Sequence, residues 1–166
     1  LKILIVSDSH GLTEELEELR NQYPDIDYWI HCGDSELPVG HPALAGYTIV
    51  RGNCDYHADF PYRQTIDANG VRIIVTHGHR EHVKSSLLPL KNLAKEQGAR
   101  VVCYGHSHIL HVEEEGGVLY INPGSLRFPK QRKERTYVIL ETSASGITAQ
   151  IYEYRKGKIT EAWFPG

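Results

Sequence analysis

"VVCYGHSH", Val101 to His108, is the stretch on which the reading of the whole chain turns. Three apolar residues and a tyrosine make a short strand, a glycine ends it, and two histidines follow one residue apart. On a helix His106 and His108 would face different sides. In extended backbone, residues two apart point the same way, so the two imidazoles are expected to leave the strand end in parallel. They would then reach one small volume at the edge of a sheet.

The same pattern recurs elsewhere. "KILIVS" (Lys2–Ser7), "YWIHC" (Tyr28–Cys32) and "YTIV" (Tyr47–Val50) are short runs of the kind buried in a sheet centre. Leu12, Leu16, Leu19 and Tyr23 recur at helical spacing among glutamates, which predicts an amphipathic helix over Thr13–Gln22. "QTIDANGVRIIVT" (Gln64–Thr76) carries Asn69-Gly70 between two strand-like runs, a hairpin signal. "SSLLPLKNLAKEQG" (Ser85–Gly98) predicts a second helix, with Pro89 in its first turn and Gly98 ending it. After Ile109, "ILHVEEEGGVLYIN" and "TYVILETSASGITAQIYEY" read as strands joined by glycine-containing turns. No repeat or linker interrupts the chain. The expected architecture is one α/β or α+β domain with two sheets.

Composition fits that expectation. At 166 residues, 40% hydrophobic and 23% charged, the chain can enclose one core and is too short for two domains. A net charge of −3 argues against a nucleic-acid wrapper or a membrane-surface binder. The one basic run, "PKQRKER" (Pro129–Arg135), reads as a solvated loop. No apolar run approaches the ~20 residues of a membrane span, and "LKILIV" is too short for a signal-peptide core. Three cysteines without CxxC spacing favour reduced thiols and a cytoplasmic setting. Ten histidines are the unusual feature.

The chemistry gathers at strand ends. "SDSHG" offers Asp8 and His10, "HCGDS" offers Asp34, "RGNCD" offers Asn53, Cys54 and Asp55, "THGHR" offers His77 and His79, and "GHSH" offers His106 and His108. Loops at the ends of sheet strands are where such folds assemble sites. Each piece alone is weak. The consecutive Ser7, Asp8, Ser9 and His10 cannot orient around one another as a catalytic triad. Carboxylate, imidazole and amide oxygen converging from five loops is a mixed environment suited to hard or borderline divalent metals.

The ordered set Asp8-x-His10, Gly33-Asp34, Gly52-Asn53, His77 and Gly105-His106-x-His108 resembles the calcineurin-like metallophosphoesterase superfamily, and most closely its small single-domain phosphodiesterase branch. The resemblance runs from Leu1 to about Ser125 and includes "NPGS", Asn122–Ser125. It implies a four-layer sandwich over residues 1–166, with two mixed sheets face to face and helices outside. It also implies a binuclear metal site. Asp8, His10 and His108 would hold one ion, Asn53, His77 and His106 the other, and Asp34 would bridge them. Metals ~3.5–4 Å apart can clamp the attacking and departing oxygens of a phosphoryl displacement and activate a shared hydroxide. The implied activity is hydrolysis of small phosphodiesters or nucleotide derivatives, with manganese expected and iron, nickel or zinc as alternatives.

Asn53 (itself one of the ligands), Cys54, Asp55 and His79 are the expected catalytic residues, and Arg127 the expected contact to substrate phosphate. Cys54 departs from the histidine that many phosphatases of the superfamily carry there, which puts general monoesterase activity in doubt. Holding the turn is the alternative role for Asp55. His31, His41, His57, His82 and His111 are expected to be bystanders, and Cys32 and Cys103 to pack. A homo-oligomer is left open. The rival reading is a protein-binding platform resembling the retromer scaffold subunit, with a blunted metal site. All seven expected ligand positions here hold residues able to bind metal, which favours an enzyme.

Overall fold

The computed structural model describes residues 1–166. Eleven strands form two sheets: β1 (Lys2–Val6), β2 (Tyr28–His31), β3 (Tyr47–Ile49), β4 (Arg63–Ala68), β5 (Val71–Thr76), β6 (Val101–Cys103), β7 (His111–Glu115), β8 (Val118–Asn122), β9 (Thr136–Ser143), β10 (Gly146–Glu153) and β11 (Gly157–Pro165). The six-stranded sheet has the order β11-β10-β9-β1-β2-β3, and the five-stranded sheet β4-β5-β6-β8-β7. Two helices, α1 (Glu14–Gln22) and α2 (Leu88–Gln97), cross between parallel strands.

Alternation along the central strands sets the layers. In β1, Ile3 and Ile5 enter a core shared with Ile73, Val75, Val101 and Cys103 of the other sheet. Leu4 and Val6 point the opposite way, to Leu16 and Leu19 of α1. In β5 and β6, Ile74 and Val102 face Leu90 and Leu93 of α2. A strand whose two faces are both buried must be apolar at successive positions, which is why these runs show no polar alternation. The result is helix, sheet, sheet, helix: two mixed sheets face to face with helices outside, as expected. Cys32 and Cys103 pack in the inter-sheet core.

The local signals also find their places. Asn69 (φ 50°) and Gly70 (φ 85°) make the turn between β4 and β5, both in the left-handed region that a two-residue hairpin needs. Pro89 lies in the first turn of α2 and Gly98 ends it. The longer β-rich end arises because β9, β10 and β11 extend the first sheet as an antiparallel meander beside β1.

Direction is the feature that matters for function. β1, β2 and β3 are mutually parallel, as are β5, β6 and β8. The loops after them are stitched to one another: Asp8 N–H donates to the Gly33 carbonyl (3.0 Å), His10 N–H to Asp34 (2.9 Å) and Gly105 N–H to His77 (2.9 Å). Leu126 N–H donates to Ser7 (3.1 Å), which ties the loop after β8 to the loop after β1.

Candidate metal centre

The stitched loops bring the ligand-type side chains together. His10 Nε2 and His108 Nε2 lie 3.2 Å apart. Asp8 Oδ1 is 3.2 Å from His108 Nε2, 3.8 Å from His10 Nε2 and 3.8 Å from His77 Nε2. Asp34 Oδ2 is 3.2 Å from His77 Nε2 and 4.0 Å from His10 Nε2. Asn53 Oδ1 stands 3.0 Å from His77 Nε2. Asp8, His10 and His108 form one tight group of donors, and Asp8, Asp34 and His77 another. His106 stands a step outside them, its ring centroid 5.2 Å from that of His77. Asp34 is not alone in the middle, because Asp8 Oδ1 faces both groups.

The histidine pair of the opening motif arrives differently from the strand-end expectation. β6 ends at Cys103, and His106 (φ 70°) and His108 (φ 61°) are both in left-handed backbone rather than extended. The turn fans the two rings apart, so that His108 meets Asp8 and His10 while His106 meets His77 and His79. Asp8, His10 and Asp34 share that conformation, with φ of 51°, 42° and 59°. It is sparsely populated by residues with a Cβ, although Asp and His tolerate it better than most.

The outward nitrogen of each key ring is pinned. His77 Nδ1 bonds the Cys32 carbonyl (2.7 Å), His108 Nδ1 the Phe128 carbonyl (2.8 Å) and His10 Nδ1 the Glu36 carboxylate (2.6 Å). Holding Nδ1 turns Nε2 toward the shared space, the arrangement that metal-ligating histidines use. Asp8 Oδ2 accepts from Ser7 Oγ and from His106 N–H, whereas the buried Asp8 Oδ1 has no hydrogen-bond partner. A buried carboxylate oxygen without a donor is costly, and here it faces imidazole nitrogens. These donors fit a cation.

The electrostatics point the same way. Burial would raise Asp34, but His77 and the Cys54 N–H hold its carboxyl well below the usual range. Burial would raise Asp8 too, but the neighbouring His108 and His77 and the Ser7 hydroxyl outweigh it and hold the carboxyl lowered. His77 and His108 are pushed up by these carboxylates, His77 against the opposing effect of its own burial. The pocket attracts positive charge. His106 is pushed down to about 4 by burial and by His77, so it keeps a free lone pair at neutral pH.

Packing around the carboxylates leaves no room for side chains. A Cβ on Gly52 would come 2.1 Å from Asp34 Oδ1, and one on Gly105 would come 2.1 Å from Ser7 Oγ and 2.5 Å from Asp8 Oδ2. Glycine is required at both places by close approach.

A chain with this fold and donor set can be compared with known proteins. The model of the calcineurin-like phosphoesterase superfamily domain matches residues 1–145. The chain belongs to that superfamily. Like its named relatives, this phosphoesterase is a metallophosphoesterase, an enzyme whose family uses divalent metal. It is 43% identical to the probable metallophosphoesterase YsnB of Bacillus subtilis, over 97% of this chain and 96% of that one. It is 29% identical to the phosphodiesterase YfcE of Escherichia coli (strain K12), over 90% and 92%. A crystal structure from Streptococcus pneumoniae TIGR4, described as a predicted phosphoesterase, superposes with TM-score 0.95 at 31% identity, covering 99% of this chain and 97% of that one. Vps29 of Entamoeba histolytica, crystallised with zinc, shares the fold alone, with TM-score 0.77 at 19% identity over 99% of each chain.

The other expected site residues fall around the rim of the phosphoesterase centre. Cys54 is half-buried, its N–H donating to Asp34 Oδ1 (2.7 Å). Its thiol is pushed up to about 11 by burial and by Asp34 and Glu36. His79 lies beside His77, ring centroids 5.3 Å apart, with a buried, unpartnered Nδ1. Arg127 is exposed and donates from Nη1 to the His10 carbonyl. Asp55 differs from the catalytic expectation. Both its oxygens are occupied by backbone, Oδ2 accepting from Asp34 (2.9 Å) and Gly52 (2.7 Å) and Oδ1 from Glu36 (2.9 Å). It holds the turn.

Several supporting residues escaped the sequence reading. Glu36 orients His10, yet an acid in an exposed loop carries no signal of that. His31, expected to be a bystander, is fully buried and joins two site loops, accepting from Gly33 N–H at Nδ1 (3.1 Å) and bonding Ser9 Oγ through Nε2 (2.8 Å). The "NPGS" segment acquires a physical role. Asn122 Nδ2 holds the Gly105 carbonyl (3.1 Å) and Ser107 Oγ (2.9 Å), and Ser125 Oγ holds the Asp8 carbonyl (2.7 Å).

Proposed function

We propose that this phosphoesterase hydrolyses small phosphodiesters at a binuclear divalent-metal site. Asp8, His10 and His108 would hold one ion, Asn53, His77 and His106 the other, and Asp34 would be shared. The observation that carries this reading is Asp8 Oδ1, buried, unpartnered and faced by three imidazole nitrogens whose opposite edges are pinned or paired. Two ions bound there supply Lewis-acid charge and bring the pKa of a water near neutrality. The chain's own residues then divide the remaining work. Arg127 offers a fixed cation beside His10 for a phosphate oxygen. His79, whose basicity is lowered by burial and by the charge of His77, would offer an N–H to a departing oxygen. Cys54, with its thiol near 11, serves neither as nucleophile nor as an effective acid at neutral pH. Ser7 and Ser9 are buried and hydrogen-bonded, so neither is free to form a covalent intermediate.

Manganese is the first metal to test, with iron, nickel and zinc beside it. The three free thiols suit a reducing cytoplasm. No helix is long and apolar enough to cross a membrane. The whole chain, 1–166, would act as one catalytic domain. A scaffold role is less well supported, because orienting partners are kept for His10, His77 and His108. The deciding experiment is turnover of phosphodiesters and monoesters by protein stripped of metal and reloaded with each ion in turn. Diester hydrolysis should appear only with metal, and water labelled with oxygen-18 should mark the product phosphate on the first turnover. Activity that survives exhaustive chelation would refute the reading.

A further inference from the structure

A groove of about 420 Å³ lies along the loop that carries His106 and His108, within the roughly 300–1,000 Å³ typical of sites for small organic ligands. It is built on the same loops. Tyr104, Ser107 and Ile109 flank His106 and His108 in the chain. Val83 folds back over the turn between His77 and His79, its N–H bonded to the Gly78 carbonyl (3.1 Å). Leu87 completes an apolar wall.

Three polar features are superimposed on that wall, the first being His111, whose Nε2 is 2.9 Å from the Glu113 carboxylate. Ser107 Oγ accepts from Asn122 Nδ2 (2.9 Å) and from Ile109 N–H (3.2 Å), which leaves its own proton as a donor held in place. Lys84 and Lys130 stand exposed at the rim, and Lys130 is anchored by its N–H to the His108 carbonyl (3.0 Å). Lys84 and Lys130 have no carboxylate partner, unlike Lys2, Lys91, Lys156 and Lys158 and like Lys95 and Lys133 elsewhere on the surface. Two unpaired cations beside an apolar wall are complementary to an anion on an apolar body. The flank on the other side of the centre, lined by Glu36, Leu37, Pro38, Cys54 and Tyr56, has no lysine or arginine. The site is therefore polar in the sense of direction.

We propose that this groove seats one ester arm of the substrate, and that it selects an arm with an apolar or aromatic body carrying a second anion such as a further phosphate. The preferred substrate class is then an unsymmetrical diester, with its uncharged arm on the Glu36–Cys54 side. This rests on the hydrolytic reading above, so its test needs one readout that does not depend on turnover.

That readout is binding of 2-naphthalenesulfonate to the zinc-loaded protein, followed by amide NMR shifts, with the neutral 2-naphthamide as control. Sulfonate is a poor metal ligand, so its site reports the groove. The sulfonate should bind at least tenfold more tightly than the amide, with shifts concentrated at Val83, Leu87 and Ile109. Lys84→Glu with Lys130→Glu should abolish that preference, and the paired alanine variants should reduce it. In turnover, 4-nitrophenyl phosphodiesters whose second arm is phenyl or phosphonophenyl should differ at least tenfold in kcat/KM in favour of the anionic arm. The same charge reversal should erase that ratio. Equal binding of sulfonate and amide, shifts elsewhere, or a preference that survives charge reversal would overturn the proposal. If no diester is turned over with any metal, the hydrolytic reading fails while the sulfonate measurement still decides the groove.

Discussion

Asp55 separates a positioning role from a catalytic one. Its carboxylate accepts three backbone N–H groups, from Asp34, Gly52 and Glu36, at 2.7–2.9 Å. Hydrogen bonds to a charged group contribute about 1.5–3 kcal/mol each. Asp55→Ala forfeits all three and leaves buried donors unpaired, so it should cost about 5 kcal/mol or more. That approaches the whole stability of a domain of ordinary marginality, roughly 5–15 kcal/mol. Asp55→Asn is the informative change. Its amide oxygen can keep the Asp34 and Gly52 bonds in weakened form, while its NH2 group meets the Glu36 N–H donor to donor. The expected loss is about 2–3 kcal/mol, or about 1–1.5 M in the urea midpoint for a slope near 2 kcal/mol/M. Because Glu36 holds His10 and the Asp34 backbone is gripped directly, this variant should also bind metal more weakly. Excess metal should restore much of its turnover. An Asp55→Asn protein that unfolds within about 0.3 M urea of the native one, binds metal normally and yet has no turnover would refute this reasoning. Asp55 would then act on substrate.

Three further outcomes can be checked. Asp34→Asn keeps shape and loses charge, so metal analysis should find at least one ion missing, with turnover falling at least a hundredfold; two full sites with near-native activity would count against the shared-ligand assignment. Cys54→His should supply a general acid that the thiol does not, an effect of about 10²–10⁴, so diesters with poor alkyl leaving groups and monoesters should gain most, provided the imidazole clears Glu36. A rate in the native protein that is flat against leaving-group pKa would locate the proton donor elsewhere, with His79 first. His31 is pushed down to about 4 by burial, so it is neutral when folded while the unfolded chain protonates near 6.5. Its contribution to stability is complete above pH 6.5 and is lost as pH falls from there to about 4, up to about 3 kcal/mol in all. His31→Gln should flatten the urea stability profile in that window by one proton's worth of slope, and an unchanged slope would contradict the burial of a neutral ring.

The fold, and the convergence of ligand-type residues at one place, were legible because both rest on period and order. Doubly buried strands must be apolar at every position, and Ile3 to Val6 and Val101 to Cys103 are. Ligand-type residues that each follow a parallel strand must come out at the same sheet edge, as Asp8, Asp34 and His77 do. What stayed hidden acts through backbone. Asp55, His31, Asn122 and Ser125 mostly bond main-chain groups across loops far apart in sequence. Any polar residue in a loop can do this, so identity and spacing give no warning. The route of the His106–His108 pair was also hidden, because two residues leaving a strand can either continue it or coil left-handed, and both keep them close.

The left-handed turn explains why so much of the hidden machinery exists. Five of the seven candidate ligands, Asp8, His10, Asp34, His106 and His108, have positive φ. Each costs about 1 kcal/mol at the low end, so the set costs on the order of 5 kcal/mol. Extended backbone would keep each i, i+2 pair on one face, about 6–7 Å apart along the strand. The coil turns Asp8 and His10 toward one volume from a single loop, and splits His106 and His108 between the two donor groups. Such strain persists only where the surroundings over-determine it. Here each strained loop has its own clamp: Ser125 on the Asp8 carbonyl, Asp55 on the Asp34 N–H, and Asn122 on the Gly105 carbonyl and Ser107. The clamps bond main-chain groups and Ser107, not the side chains of the candidate ligands. They hold the ligands in a geometry that the chain would otherwise leave, so that the donors need little rearrangement to receive an ion.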